Sequence, residues 1–211
     1  MKLALLLAGV LALSPSPSLA ETVTGTAQGV LYEVLEAPGA EFTPSGARIM
    51  PGVILPSGDR LAQAEEAGTL SGSGTLAFLT GDVTVNAQSR VPFDPATGFG
   101  VGTADGYFRV SNTGGTVTGK LEGQLNMSLL TSTQCGGNPC PFAPITGMWS
   151  TLGDDRSNGM FSGVFLVPFE AAPGTWAYLN PSTRQVELLQ PHEFDTKTGS
   201  PLIKLFVTLY Q

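Results

Sequence analysis

Histidine and cysteine are almost absent from this chain, and their scarcity excludes several kinds of site. The 211 residues include one histidine, His192, and two cysteines. A structural zinc site requires about four nitrogen, sulfur or oxygen ligands. A catalytic histidine requires a nucleophile, and no Gly-x-Ser-x-Gly motif is present. Asp154 and Asp155 open an oxygen-rich turn, but a calcium site needs about six to eight oxygens with a bidentate acid further on. We therefore expect no metal and no cofactor, and we interpret His192 as a loop residue.

Charged residues are sparse, and most of them are acidic. They make up 13% of the chain, with 10 Lys and Arg against 17 Asp and Glu, for a net charge of −7 at pH 7. An acidic surface repels nucleic acid and anionic membranes, and the sequence contains no basic run that would offset this. We predict no nucleic-acid partner. The 27 glycines and 16 prolines stay below the fraction typical of low-complexity chains, so we expect a folded protein with many turns.

Long apolar runs are confined to the N-terminus. Lys2 precedes an apolar stretch from Leu3 to Leu13, and a run of small residues ends at Ala20. This layout is typical of a secretory signal peptide cleaved after Ala20. A membrane-spanning helix would need about 20 apolar residues, and the Ser-Pro repeat at 14–17 interrupts this one. We expect no transmembrane helix, export to the periplasm or extracellular space, and a single mature domain over 21–211.

The two cysteines lie close together in a turn-forming segment. Cys135 and Cys140 enclose Gly-Gly-Asn-Pro, which is well suited to a tight turn. An oxidising compartment favours a disulfide between them. The chain-entropy relation gives such a short loop about 2 kcal/mol, enough to fix a loop but not to hold a fold. A redox pair would be spaced by about two residues, fewer than the four present here.

The clearest pattern in the chain is the alternation between Thr116 and Leu129. Even-numbered residues there are polar, and odd-numbered residues are apolar or glycine. A period of two predicts a β-strand and excludes a helix. Fourteen extended residues would span roughly 46 Å, so the strand must bend or belong to a large sheet. Gly119 and Gly123 lie on the apolar face, where glycine is typical of a bend or a close approach. This favours a barrel or a strongly coiled sandwich.

Similar runs bounded by turn residues give about ten strand candidates. They cover residues 22–35, 47–55, 69–79, 83–89, 101–111, 116–130, 146–152, 159–169, 175–179 with 185–189, and 202–210. Only residues 59–67 resemble a helix, with Asp59 as a possible N-cap and Gly68 just past the end. We predict an all-β fold: a single antiparallel barrel or strongly coiled β-sandwich of about ten strands, with at most one short helix near 59–67.

Two of the later strands are apolar on both faces. These are Gly159 to Phe169 and Leu202 to Tyr210. Strands of this kind must be covered on both sides. We therefore expect them to lie centrally or to present one face to a partner, for which a second copy of this chain is one candidate.

Candidate binding residues lie on the polar face of the long strand and among the aromatic side chains. They are Lys120, Glu122, Gln124, Asn126, Trp149 and Trp176. Paired carboxylates are the other candidates, since sugar hydrolysis uses two of them about 5–10 Å apart. Acids are available at Glu33, Glu36, Glu65, Glu66, Glu122, Glu170, Glu187 and Glu193, but the sequence does not show which of them meet in space.

The function that these observations favour is that of an exported, non-catalytic β domain. Such a domain binds a small molecule, a glycan or a protein, or takes part in an envelope or extracellular assembly. Two alternatives stay open. One is a carboxylate-dependent hydrolase acting on glycans, and the other is a small outer-membrane β-barrel, whose strands need about 9–11 alternating residues.

Overall fold

The computed structural model describes residues 23–33, 53–54, 59–94, 99–131, 139–153, 156–180, 183 and 185–211. The strands are β1 (Gly25–Glu33), β2 (Val53–Ile54), β3 (Asp59–Gly74), β4 (Gly81–Asp94), β5 (Phe99–Asn112), β6 (Gly115–Thr131), β7 (Pro139–Leu152), β8 (Asn158–Leu166), β9 (Phe169–Ala172), β10 (Thr175–Leu179), β11 (Val186–Leu188) and β12 (Ile203–Tyr210). Two short 3-10 turns, Ala77–Leu79 and Pro191–Glu193, accompany them. Within this part of the chain no helix is long and apolar enough to cross a membrane. The predicted all-β fold is confirmed.

Eight of the strands form a closed antiparallel barrel. Their order around the barrel is β1, β3, β4, β5, β6, β7, β8 and β12. The barrel closes because β1 pairs on both sides: Ala27 lies opposite Leu209 of β12 and opposite Gly72 of β3. Strand β2 adds a short pairing to the start of β3. Of the two predicted architectures, the barrel is therefore the one that forms.

A small sheet of three strands follows β8. Strand β10 is its centre, with β9 on one side and β11 on the other. Phe169 and Ala177 are buried in a second, smaller core. The hydroxyl of Tyr178 donates a hydrogen bond to the carbonyl of Leu202 at 2.7 Å. This bond ties the small sheet to the chain just before β12.

Apolar side chains on the inward positions of the strands fill much of the barrel. Val110, Leu125, Trp149 and Ile203 are among those that are almost completely buried. The indole Nε1 of Trp149 donates to the carbonyl of Tyr210 at 3.1 Å, so its one polar atom is satisfied. The interior of an eight-stranded barrel is just wide enough for side chains or for one small ligand.

The 3-10 turn Ala77–Leu79 closes one end of the barrel. Leu76 and Leu79 are completely buried in the barrel core. A Cβ on Gly72 of β3 would lie 2.0 Å from the carbonyl oxygen of Leu76. Glycine at this position therefore lets the backbone of the turn lie directly against the strand.

Strand β6 confirms the alternation from Thr116 to Asn126, where its side chains are described, and it shows what its glycines do. Gly119 and Gly123 lie on the inward side, and their backbones pair with β5 and β7 in a continuous register around both positions. A Cβ on Gly119 would lie 2.2 Å from ring atoms of Phe108, and one on Gly123 would lie 2.9 Å from the ring of Phe161. The two glycines therefore make room for aromatic rings that pack across the interior.

The helix predicted over 59–67 is wrong, because these residues belong to β3. This strand pairs with β4 from Asp59 to Leu70 and with β1 from Glu66 to Gly74. The segment is rich in alanine, glutamate and glutamine, which favour helices by local propensity. Pairing on both sides overrides that preference because it closes the barrel. Among the described residues the structure also divides the strands more finely than predicted, into twelve rather than about ten.

Several predictions fall on residues that the structure does not describe. The signal peptide over 1–20, Cys135 and the two acids Asp154 and Asp155 lie outside the described residues, while Cys140 lies in β7 opposite Leu130. In β8 and β12, the strands predicted to be covered on both faces, some outward side chains are exposed to solvent. Met160 is 60% exposed and Phe206 is 39% exposed. The contact with a second copy of this chain stays a prediction.

Candidate functional site

The barrel encloses a cavity, which we call the lumen cavity. The volume open to the centre of a water molecule is about 70 Å³. Every strand of the barrel contributes to its wall, which is almost entirely apolar. Representative wall residues are Leu31, Leu70, Val85, Leu121, Phe161 and Leu205. Cavities with apolar walls are poor sites for water and good sites for apolar groups. The lumen cavity has room for a short alkyl chain or a ring.

Two glutamates form the polar feature of the interior, and we call them the carboxyl pair. Glu33 at the end of β1 lies directly opposite Glu66 of β3 in the strand register. Both point inward, with exposed fractions of 6% and 3%, and Glu66 lines the lumen cavity. Side chains directly opposite each other on neighbouring strands have Cβ atoms about 4.5–5.5 Å apart. The two carboxyl groups therefore lie side by side, toward the end of the barrel away from the 3-10 turn Ala77–Leu79.

Burial changes the acidity of both groups. It raises the pKa of Glu33 to about 8 from the ordinary 4.5, and the neighbouring negative charge of Glu66 adds to this effect. Burial alone raises the pKa of Glu66 to about 7. Two adjacent carboxyls in an apolar environment resist ionising together, so the protons belong to the pair rather than to either residue. Near neutral pH the pair can therefore both donate and accept hydrogen bonds.

One atom of the pair is left without a partner. Among the residues that the structure describes, Glu33 Oε2 is the buried side-chain atom that makes no hydrogen bond. Buried polar atoms of native proteins are nearly always hydrogen-bonded, and an unsatisfied one costs about 1–3 kcal/mol. An unpaired acceptor beside an apolar cavity is the kind of group that a ligand satisfies.

The residues predicted from the polar face of β6 do not reach the lumen cavity. Lys120, Glu122, Gln124 and Asn126 are exposed on the outer face of the barrel. The Nζ of Lys120 lies 5.6 Å from the centre of the Tyr107 ring, which is a surface cation–π contact. Binding by these four side chains stays a prediction, and it would require a partner on the outer surface.

The two tryptophans predicted as binding residues lie apart in different units of the fold. Trp149 is buried in the barrel core. Trp176 is half-buried in β10 of the small sheet. They do not form a common surface with the polar residues of β6, so the six predicted binding residues are not brought together at one site.

An ion pair joins the barrel to the segment that follows the small sheet. Lys204 Nζ lies 2.5 Å from Glu193 Oε1 and 5.3 Å from the centre of the Tyr178 ring. The second carboxylate oxygen of Glu193 accepts a hydrogen bond from the backbone N–H of Gln190 at 2.8 Å. The neighbouring His192 is exposed in the 3-10 turn Pro191–Glu193, with its ring edge-on to Tyr32. This cluster lies on the outside of β12 and is structural in character.

Sequence reasoning named Glu33 and Glu66 as acids but did not pair them. The signal that identifies them is strand parity: Glu66 shares its face of β3 with Leu70, and Glu33 shares its face of β1 with Leu31. Interpreting 59–67 as a helix hid this parity for Glu66. Within the described part of the chain, no group of three or more His, Cys, Asp and Glu side chains could hold a metal ion. Comparison with protein-family models, curated proteins and solved structures finds no match.

Proposed function

We propose that this protein binds a small, mainly apolar molecule inside its barrel, as an exported and non-catalytic domain. The observation that carries the proposal is the lumen cavity, which has almost entirely apolar walls from all eight barrel strands and is lined at one position by Glu66 of the carboxyl pair. Small-molecule sites are usually concave and apolar, with a few polar groups that fix the orientation of the ligand. Eight-stranded barrels that hold one small ligand use this arrangement.

The distribution of polarity across the barrel wall supports the same proposal. Outward positions of β5 and β6 carry charged and exposed side chains, among them Arg109, Lys120 and Glu122. Inward positions of these strands carry Phe108 and Leu125, which are buried. A membrane-spanning barrel has an apolar outer band and a polar interior. The polarity of these two strands is the reverse, which favours ligand binding in the lumen over the outer-membrane alternative.

The hydrolase alternative has one observation in its favour, which is the meeting of Glu33 and Glu66 inside the barrel. Two carboxyls with raised pKa values are a common feature of acid–base sites. The walls around them, however, are apolar and offer few hydrogen bonds to a sugar. Incubating the purified chain with a panel of glycans, followed by chromatography of the products, tests this alternative. Turnover that Glu66→Gln abolishes would favour the hydrolase over the binding protein.

Export and the Cys135–Cys140 disulfide belong to the same proposal. An apolar pocket in a carrier of this kind would serve a compartment outside the cytoplasm, where disulfides also persist. The test is the intact mass of the chain recovered from the periplasmic or culture fraction. A mass that starts at Glu21 and is lower by two hydrogens supports the proposal. An uncleaved chain with free thiols contradicts it.

The experiment that tests ligand binding compares a variant in which the lumen cavity is filled with a control variant in which it is unchanged. Ala104 is buried on the inward side of β5 and lines the lumen cavity. Replacing it by phenylalanine should fill the space and abolish calorimetric binding of n-hexanol. The matched control is Thr103→Phe, which adds the same ring on the exposed side of the same strand. Equal binding by wild type and Ala104→Phe would show that hexanol binds elsewhere.

A further inference from the structure

We propose that the ligand of the lumen cavity carries a protonated amine at one end, held between the carboxyl groups of Glu33 and Glu66, with its apolar body in the cavity. This inference rests on the proposed function and makes it more specific. It names a chemical class, small apolar amines, and it assigns the carboxyl pair as the group that recognises them.

Among the charged groups that the structure describes, none beside the carboxyl pair is positive. In the part of the chain that the structure describes, Glu66 is the charged group whose field acts on Glu33. Across the neighbouring strands, Ile203 of β12 lies opposite Glu33, and Val85 of β4 lies opposite Glu66. The next residue on β12, Lys204, is engaged by Glu193. The described walls of the site therefore supply two acids and no counter-ion.

The carboxyl pair also contains an unsatisfied hydrogen-bond acceptor. Glu33 Oε2 is buried and has no hydrogen-bond partner, while Glu66 is 97% buried and faces the lumen cavity. An ammonium group carries several N–H donors and a full positive charge. It satisfies the free acceptor and neutralises the charge of the pair in the same position. Hydrogen bonds between ionised groups are roughly twice as strong as those between neutral ones.

The charge of the carboxyl pair separates amines from other small amphiphiles. An alcohol of the same length would contact the same apolar walls but would leave the charge of the pair uncompensated. A carboxylic acid would bring a third carboxyl into the same apolar space, where like charges repel. The walls themselves admit all three classes because their contact with an alkyl chain is not directional. Selectivity for the amine therefore depends on the carboxyl pair alone.

Calorimetric titration of the full mature chain with three matched probes tests the inference. The probes are n-hexylamine, n-hexanol and hexanoate, and the variants are Glu33→Gln, Glu66→Gln and the control Glu65→Gln. Glu65 is the exposed neighbour of Glu66 on the outward side of β3. We expect wild type and Glu65→Gln to bind hexylamine at least about tenfold more tightly than hexanol. Both inward variants keep only one carboxyl of the pair and should show a clearly smaller preference for hexylamine.

A pH series adds a readout that a purely structural role would not change. Hexylamine stays protonated between about pH 6 and pH 8, whereas the carboxyl pair loses protons over this range. Affinity for hexylamine should therefore rise with pH in wild type, and affinity for hexanol should not. In Glu33→Gln and Glu66→Gln the rise should be reduced or lost. Binding of hexanol by these variants shows that the barrel is still folded.

The outcomes distinguish this inference from the proposed function. If wild type binds hexanol or hexanoate as tightly as hexylamine, the amine inference is overturned and ligand binding in the lumen stands. If Glu65→Gln loses the preference as fully as the inward variants, surface charge explains it and the inference is again overturned. If none of the probes binds wild type, the proposed function itself fails.

Discussion

The carboxyl pair should make the stability of this protein fall as the pH rises. In the unfolded chain both glutamates ionise near their ordinary pKa of 4.5, whereas in the folded chain they hold protons up to about pH 8 for Glu33 and about pH 7 for Glu66. Between these limits the folded state binds more protons than the unfolded state. The free energy of unfolding is therefore greatest below about pH 4.5, decreases as the pH rises toward 8, and then levels off.

The magnitude follows from the two raised pKa values. Each pH unit by which the folded pKa exceeds the unfolded one costs about 1.4 kcal/mol when the group is ionised. The cost is about 5 kcal/mol for Glu33 and about 3 kcal/mol for Glu66. Whole domains are stable by about 5–15 kcal/mol, so this effect is a large part of the total. The glutamine variants remove the ionisable group while keeping the size and shape of the side chain.

Urea unfolding at about pH 5, 7 and 9 measures the effect. We expect the wild-type midpoint to fall strongly over this range, and those of Glu33→Gln and Glu66→Gln to fall much less. Both variants should be more stable than wild type at the highest pH. The exposed neighbour Glu65, replaced by glutamine, should behave as wild type. If the curves of wild type and Glu33→Gln run parallel across the whole range, the two glutamates do not titrate as argued.

Two further predictions concern packing and the external ion pair. Gly119→Val should destabilise the barrel by several kcal/mol because the added side chain would occupy the position of a packed aromatic ring, as measured by the urea midpoint. Lys204→Met should cost about 3 kcal/mol because it leaves the buried carboxylate of Glu193 without its cation. Thermal unfolding of wild type and Lys204→Met measures this loss.

Exposed residues provide the controls for these two changes. Thr118→Val places the same side chain on the exposed face of β6, and Lys197→Met removes an exposed lysine. Both should change the free energy of unfolding by less than about 0.5 kcal/mol. A loss in Thr118→Val equal to that in Gly119→Val would mean that the inward position is not specially crowded. A loss in Lys204→Met no larger than that in Lys197→Met would mean that the ion pair with Glu193 contributes little to stability.

The sequence was most informative where one strand alternates without interruption. From Thr116 to Asn126 the pattern correctly separates the inward from the outward side of β6, because side-chain parity is a local property of the chain. Sequence-based prediction failed over 59–67, where local propensity favours a helix but pairing with β1 and β4 decides the structure. Both partner strands lie outside the segment, so its local propensity does not reflect the pairing.

The candidate site was harder to predict than the fold for the same reason. Glu33 and Glu66 are 33 positions apart, and they meet because β1 and β3 pair in one particular register. A shift of that register by one residue would turn one of the two side chains to the outside. Their raised pKa values come from burial, which is a property of the closed barrel rather than of any segment. Sequence reasoning could name the acids but not bring them together.

The double pairing of β1 determines when the site can exist during folding. Strand β1 is among the first elements along the chain, yet Thr26 pairs with Tyr210 of β12. Until β12 docks, β8 and β1 present unpaired edges, which are sites of misassembly, and the carboxyl pair remains open to water through the gap. Closure across so long a sequence separation is expected to be slow. The pairing of β1 with β12 thus separates the interior from water, and the acidity of Glu33 depends on that closure.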